Sequence, residues 1–507
     1  MNKGLKNIFW GVAGQFLILA LGIIVPRFIL KSYGDEANGL INAITQIFTY
    51  LALIEAGVGQ ATVQALYKPI VEGDKNEINS ILSATQKYYR KLTKIYMLIV
   101  VLVSVLYPLF IEVNDTHSIN FFGSSYLAIV FLILLHGISS AFGFYFTATL
   151  KQILLADGLN YVIVNITTIF RAIVSVAKII LINLGINLVL LQFVYLCITI
   201  AEVLVYIFIF KRYYPWVDCA VPEKEGALKE RNAFLVHEIS NAIFSATDML
   251  VLSIFCDLTT VSIYAMYNLV FSALNTLIGQ VHNGCYYILG QAYNSEQSAY
   301  ENVHDTYDTY YIGLVFSLMT VAYLLILPFI RLYTVGVTEI NYLDSALPIL
   351  FCLVNLLSSC RITSSNLIKV AGRAKATISR TITESAINLL SSIILVNFIG
   401  IYGVLLGTIL ALLYRTNDMV IYANKKILNR SAGKTYKLIA TNFLIFFGFS
   451  FLKNFVDLTI KDFAGFILVG VVATIISMGV YFVVNSLANR QAFKTLKGVL
   501  HKSKVKQ

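Results

Sequence analysis

The sequence predicts an all-α polytopic membrane protein with about fourteen transmembrane helices: two six-helix bundles related by a parallel repeat, then two C-terminal helices. Three observations predict it. Hydrophobic residues make up 58% of the 507-residue chain and charged residues 13%, half the charge of a soluble domain of ordinary composition; mean hydropathy is +0.76. The apolar residues fall into runs of about 20, the length that crosses a hydrocarbon core. The basic residues collect in alternate loops.

The apolar runs are 8–30, 40–66, 95–113, 124–150, 161–184, 187–210, 235–255, 261–293, 311–331, 344–368, 377–399, 402–424, 438–455 and 463–485. The first is too long for the apolar region of a signal peptide and no small-residue cleavage site follows, so it reads as a spanning helix. Between the second and third, Ile78, Ile81 and Leu82 recur at helical spacing among polar residues, which predicts an interfacial surface helix within 67–94. Pro26, Pro108, Pro328 and Pro348 are candidate bends.

With the N-terminus in the cytoplasm, 28 of the 38 basic residues lie on that side, in 3–6, 68–94, 211–231, 369–375, 425–437 and 490–506 together with Lys151. Five more lie near outer helix ends and five within spans. This bias predicts both termini inside. The inner loop 294–310 is the exception: it has no Lys or Arg and carries Glu296, Glu301, Asp305 and Asp308. No segment is long enough for a soluble domain on either face.

A repeat supports the two-bundle reading. Leu154-Leu155-Ala156-Asp157-Gly158, a span, Leu181-Ile182-Asn183-Leu184-Gly185 and a span ending Lys211-Arg212 has a counterpart about 215 residues later. The counterpart is Lys369-Val370-Ala371-Gly372-Arg373, a span, Leu395-Val396-Asn397-Phe398-Ile399-Gly400 and a span ending Lys425-Lys426. Both copies run cytoplasm to cytoplasm, so the repeat is parallel. The boundaries that follow are an N-terminal lobe at 1–210, a cytoplasmic linker at 211–234, a C-terminal lobe at 235–424, two appended helices at 425–485 and a basic cytoplasmic tail at 486–507.

Charges at membrane depth are the candidate functional residues, because each is costly there. They are Glu55, Arg171, Lys178, Glu202, Asp248, Arg361, Arg380, Glu384, Arg415 and Asp418. Arg380 with Glu384 and Arg415 with Asp418 have the spacing of pairs within one helix. Arg171 and Lys178 share a face with Thr167, Thr168 and Ser175, and Arg361 shares one with Ser364, Ser365 and Lys369. These stripes line a cationic cavity suited to phosphate or diphosphate, or they pair across helices with Glu55, Glu202 or Asp248. Two further polar stripes, Asn268, Ser272, Asn275, Gly279 and His282, and His136, Ser140, Gly143 and Thr147, are either close-packing surfaces or a polar path.

Catalytic and metal signatures are missing, so no enzyme activity, metal or cofactor is expected. Gly433-Lys434-Thr435 ends like a phosphate loop, but Leu428 stands where its first glycine belongs. His237-Glu238 fails the zinc pattern because Asn241 replaces the second histidine. The six cysteines form no close pairs and read as packing residues. The net charge of +11 is explained by topology rather than nucleic-acid binding. With no ATPase module, transport would couple to H+, Na+ or the membrane potential. Asn114-Asp115-Thr116 is an isolated sequon.

Several segments resemble the oligosaccharide flippases of the multidrug/oligosaccharidyl-lipid/polysaccharide (MOP, MATE-like) exporter superfamily. They are Asn7-Ile8-Phe9-Trp10-Gly11-Val12-Ala13-Gly14 with Pro26-Arg27, Tyr33-Gly34-Asp35-Glu36-Ala37-Asn38-Gly39-Leu40, Gly400-Ile401-Tyr402-Gly403-Val404-Leu405-Leu406-Gly407-Thr408, and Tyr422-Ala423-Asn424-Lys425-Lys426. The resemblance covers nearly the whole chain and is strongest to the polysaccharide branch. It implies a bacterial inner-membrane protein that flips an undecaprenyl-diphosphate-linked oligosaccharide outward by alternating access, for capsule, exopolysaccharide or O-antigen-type synthesis. It implies membrane lipids, a glycan polymerase and glycosyltransferases as partners. It implies that basic residues hold the diphosphate; here Arg27, Arg171, Lys178 and Arg361, then Arg380 and Arg415, are the candidates, with Glu55, Glu202, Asp248 and His282 for coupling or the polar cavity. Alternatives are a teichoic-acid or peptidoglycan-precursor lipid flippase and a cation-coupled multidrug exporter of the same superfamily. A membrane glycosyltransferase or polymerase would need a larger outer loop.

Overall fold

The computed structural model describes residues 3–111, 113, 119–222, 247–293, 297–336, 340–371, 373–453 and 460–504. Their regular structure is helical, apart from one isolated bridge between Phe121 and Ser124. Eleven helices among these residues are long and apolar enough to cross a membrane. The chain divides into two compact units, Met1–Ser262 and Ile263–Gln507.

The first unit holds α1 (Lys3–Glu72), α2 (Lys75–Leu106), α3 (Ser125–Phe142), α4 (Ala148–Ala156), α5 (Asn160–Asn183) and α6 (Leu188–Tyr213). It also holds the helical residues 247–255 and the first turn of α7 (Leu258–Tyr293). The run 235–255 is described only from 247, and the sequon at Asn114 lies outside the described residues. The first two apolar runs form the single element α1, broken at Gly34 (φ 81°, ψ −178°), a conformation open to glycine. After the break Ala37 and Leu40 are fully buried, and Gly39 lies so close to the start of α7 that a Cβ would sit 1.9 Å from the Leu258 carbonyl oxygen. Asn38 Nδ2 donates to Ser262 Oγ (2.7 Å) and Thr259 Oγ1 to Asp35 Oδ2 (2.7 Å). Within the first unit the Tyr33–Leu40 motif therefore packs on residues 258–262, the first turn of α7.

The interfacial helix expected within 67–94 is instead the first half of α2, continuous with the third span. Ile78, Ile81 and Leu82 pack with Leu66, Ile153, Leu154, Tyr206 and Phe210, so their stripe faces protein rather than lipid. The segment after α6 closes over the same end. Ser80 and Ser83 donate to the carbonyls of Pro222 and Val221 (2.7 Å each), and Asp218 N–H to Asn79 Oδ1 (3.2 Å). Tyr214 donates to Asp157 Oδ2 (2.7 Å), and burial with the Asp157 carboxylate pushes the Tyr214 hydroxyl above the usual tyrosine range.

The second unit holds the rest of α7, α8 (Gln297–Tyr333), α9 (Leu347–Cys360), α10 (Ile362–Val370), α11 (Ile378–Ile399), α12 (Ile401–Tyr422), α13 (Gly433–Leu452), α14 (Phe463–Ala488) and α15 (Arg490–Lys504). Four expectations change. The acidic stretch 297–310 is helical, extending α8 to 37 residues, roughly 55 Å at 1.5 Å per residue. The run 344–368 is interrupted at Arg361, which caps α9. Pro348 sits in the first turn of α9, where its missing N–H costs nothing, so it starts the helix rather than bending it. The C-terminal tail forms α15.

The α11–α12 hairpin is closely packed. Gly400 turns it at φ 54°, and the glycines of the 400–408 motif bring the backbones together. A Cβ at Gly403 would lie 2.3 Å from the Leu395 carbonyl oxygen, and one at Gly407 would lie 2.7 Å from Ser392 N. Small residues allow this approach, and Asn388 Nδ2 seals it by donating to Thr408 Oγ1 (2.8 Å).

Candidate functional site

Five intramembrane charges of the second unit form one alternating network. Arg361, at the α9–α10 break, donates through Nη1 to Glu384 Oε1 of α11. The other Glu384 oxygen lies 3.4 Å from Arg415 Nε of α12, within ion-pair reach though without a hydrogen bond. Arg415 donates to Asp418 Oδ2 (2.7 Å) and to Thr381 Oγ1 (2.9 Å). Asp418 Oδ1 lies 3.0 Å from Arg380 Nη1, and the Arg380 guanidinium lies 4.9 Å from the Tyr422 ring centroid. The Arg415 side chain is 2% exposed and that of Glu384 5%. Burial at that level requires the partners, because a bare charge there costs several kcal/mol. Glu384 is sixteen residues from the Gly400 turn, about 24 Å along the helix, so the network sits at the end of the hairpin away from the turn.

The spacing rule is half right here. Arg415 and Asp418 pair within their helix, as expected. Arg380 reaches Asp418 on α12 rather than Glu384 on its own helix, because Glu384 is taken by Arg361 and Arg415. Arg361, without an acidic neighbour at helical spacing, finds one in Glu384.

In the first unit Arg171 and Lys178 lie on α5, few of whose residues are fully buried and most of which are partly exposed. Arg171 is exposed, and Glu202 of α6 is within electrostatic reach of Arg171 and of Lys151. Lys178 Nζ stands 5.3 Å from the Tyr195 ring centroid, a cation–π contact. That ring stacks on His136 (5.8 Å), which stacks on Phe48 (4.3 Å) and meets Gln192 Nε2 at 3.3 Å. No ion pair joins Lys178 to a carboxylate among the described residues. The stripe's hydroxyls serve packing. Thr167 Oγ1 meets Tyr206 Oη at 3.0 Å, and Thr168 lies under Gly14 of α1.

The remaining candidates are dispersed. Arg27 is half-buried in α1, and Glu55 lies in α1 with its side chain outside the described residues. Asp248 is buried beside Thr247, whose hydroxyl bonds Tyr50 (2.5 Å). His282 Nδ1 meets Tyr307 Oη at 2.7 Å and Asn366 Nδ2 at 3.3 Å, and Asn275 donates to Asn355 (2.5 Å). The α7 stripe is thus engaged only in part: Ser272 and Asn275 are exposed, and a Cβ at Gly279 would meet nothing.

The sequence reading missed a cluster built on the acidic stretch. Arg430 holds Asp305 in a forked pair (2.6 and 3.0 Å), and Lys434 Nζ reaches Asp305 Oδ2 at 2.5 Å. The signal was there: the acidic segment 294–310 has no Lys or Arg of its own to pair with, and 425–437 is a basic segment. Among the described residues no group of His, Cys, Asp and Glu could hold a metal ion.

No family model and no curated protein matches the chain by sequence. Solved structures do match its fold. A lipid II flippase, MurJ, in an inward closed conformation aligns at TM-score 0.67 and 15% identity, over 96% of this chain and 100% of that one. An inward-facing multidrug resistance MATE family transporter of the MOP superfamily aligns at 0.62 and 15%, over 83% and 96%. The MATE multidrug transporter DinF-BH, in a ligand complex, aligns at 0.58 and 16%, over 81% and 93%. The chain thus has the all-α, multi-pass fold that these MOP-superfamily transporters share.

Proposed function

We propose that the protein is a flippase that moves an undecaprenyl-diphosphate-linked oligosaccharide from the cytoplasmic to the outer leaflet of a bacterial cell membrane by alternating access. The observation that carries this reading is the end-to-end likeness to a lipid II flippase, which takes in nearly the whole chain where the MATE structures leave out about a sixth. The cationic face of α5 supports an anionic head group. Arg171 supplies a forked donor and Lys178 a charge held by aromatic rings rather than neutralised by a carboxylate. The basic bias of the loops supports cytoplasmic termini. Coupling to H+, Na+ or the membrane potential would supply the drive, and a glycan polymerase and glycosyltransferases would be its partners in synthesis.

The test is reconstitution in liposomes with fluorescent polyprenyl-diphosphate oligosaccharide, reading the fraction that becomes accessible in the opposite leaflet. Time-dependent translocation above that of protein-free vesicles is expected. The MurJ likeness favours a peptidoglycan-precursor carrier as the second reading, so lipid II forms a parallel arm. Efflux of a lipophilic cation with no translocation of either lipid would replace both readings by the multidrug exporter.

A further inference from the structure

The second unit contains a cavity of about 260 Å³ where the N-terminal end of α8, the N-terminal end of α13 and the C-terminal end of α14 meet. It is lined in part by Asp308, Thr309, Lys434, Lys437, Thr441 and Asn489. Its charges are of both signs and are arranged unequally. Asp305, at its edge, is saturated by Arg430 and Lys434. Asp308, one turn further along α8, is not. It is 3% exposed, and its Oδ1 has no hydrogen-bond partner. His304 and Thr363 flank it, and neither ring nitrogen of His304 is hydrogen-bonded. On the opposite wall Lys437 is exposed and enters none of the ion pairs of this cluster. Thr441 and Asn489 add a hydroxyl and an amide; Asn489 Nδ2 already donates to Thr309 Oγ1 (2.9 Å).

We propose that this cavity binds the head group of an amine-bearing phospholipid, phosphatidylethanolamine. The ammonium would donate to Asp308, and the phosphate would face Lys437, Lys434 and Thr441. A buried carboxylate oxygen without a donor calls for a cationic or N–H partner, and among the described residues two carboxylates, one of them already ion-paired, make no group that could hold a metal ion. The volume suits a head group and excludes a whole lipid. The location selects a lipid over a soluble ligand: the cavity lies at the ends of membrane-spanning helices, and Leu444 of α13 and Leu487 of α14, close in sequence to the lining residues Thr441 and Ala488, are exposed apolar side chains, a surface for acyl chains. The site is independent of the transport reading.

The test is native mass spectrometry of delipidated protein titrated with phosphatidylethanolamine, its N-monomethyl and N,N-dimethyl forms, phosphatidylcholine and phosphatidylglycerol of matched chains. Binding is expected to fall stepwise with methylation, by about tenfold or more from the primary amine to choline, the worth of a charge-assisted hydrogen bond. Asp308→Asn should abolish that preference and leave phosphatidylglycerol binding in place, while Lys437→Gln should weaken both lipids. Equal binding of the amine and choline lipids by the wild type, or an amine preference that survives Asp308→Asn, would overturn the proposal. The methylation series needs no variant, so it decides the matter even where Asp308→Asn folds poorly.

Discussion

The intramembrane charges of the two units are handled in opposite ways. In the second unit three guanidinium groups and two carboxylates interleave across the α9–α10 break, α11 and α12, and the most buried of them, Arg415, has partners on two helices. In the first unit Lys178 is held by an aromatic ring, and Arg171 is exposed, with Glu202 within electrostatic reach but no ion pair between them among the described residues. A closed network is what structure demands of charge in low dielectric. A cation left without a carboxylate is what a transient anionic ligand demands, because a resident carboxylate would compete with it. Under the proposed function the first pattern would hold helices and the second would meet the head group.

Substitutions can break or sharpen that contrast. Glu384→Ala should have the largest effect on stability, about 3–5 kcal/mol, because it strands Arg361 and Arg415; thermal unfolding in detergent with a denaturation baseline measures it. Gly403→Ala comes next, at roughly 1–3 kcal/mol, since its Cβ collides with backbone that has little room to shift; hydrogen exchange should localise the loosening to α11 and α12. Arg380→Ala should cost less than about 1 kcal/mol, because its side chain is 36% exposed. Lys178→Met should change stability least, yet lower transport by about tenfold or more if the cation contacts the head group. An unfolding shift for Lys178→Met as large as that for Glu384→Ala would erase the distinction between the units.

Much of the fold was legible. Apolar length located the spans, and the glycines of the 400–408 motif were visible before their reason, a backbone approach that leaves no room for Cβ. The break at Gly34 falls in the gap between the first two apolar runs, although the contact of the following residues with 258–262 was not visible. What the sequence hid were partners. Spacing marks the neighbours of a charge on its own helix, whereas Arg361, Arg380 and Asp305 are satisfied by other helices or by the loop after α12. For the same reason Ile78, Ile81 and Leu82 showed an amphipathic stripe without showing that it covers protein rather than lipid. An unsatisfied carboxylate such as Asp308 is visible only once the third dimension is known.

The central claim is that the cationic face of α5 binds the anionic head group. Translocation of polyprenyl-diphosphate oligosaccharide by reconstituted Arg171→Gln/Lys178→Met protein tests it most directly, measured against Arg380→Ala as a control and with thermal unfolding confirming the fold of each. The double variant should lose translocation by about tenfold or more while melting with the wild type and while the control stays active. Wild-type rates from a folded double variant would contradict the claim and make these two cations structural.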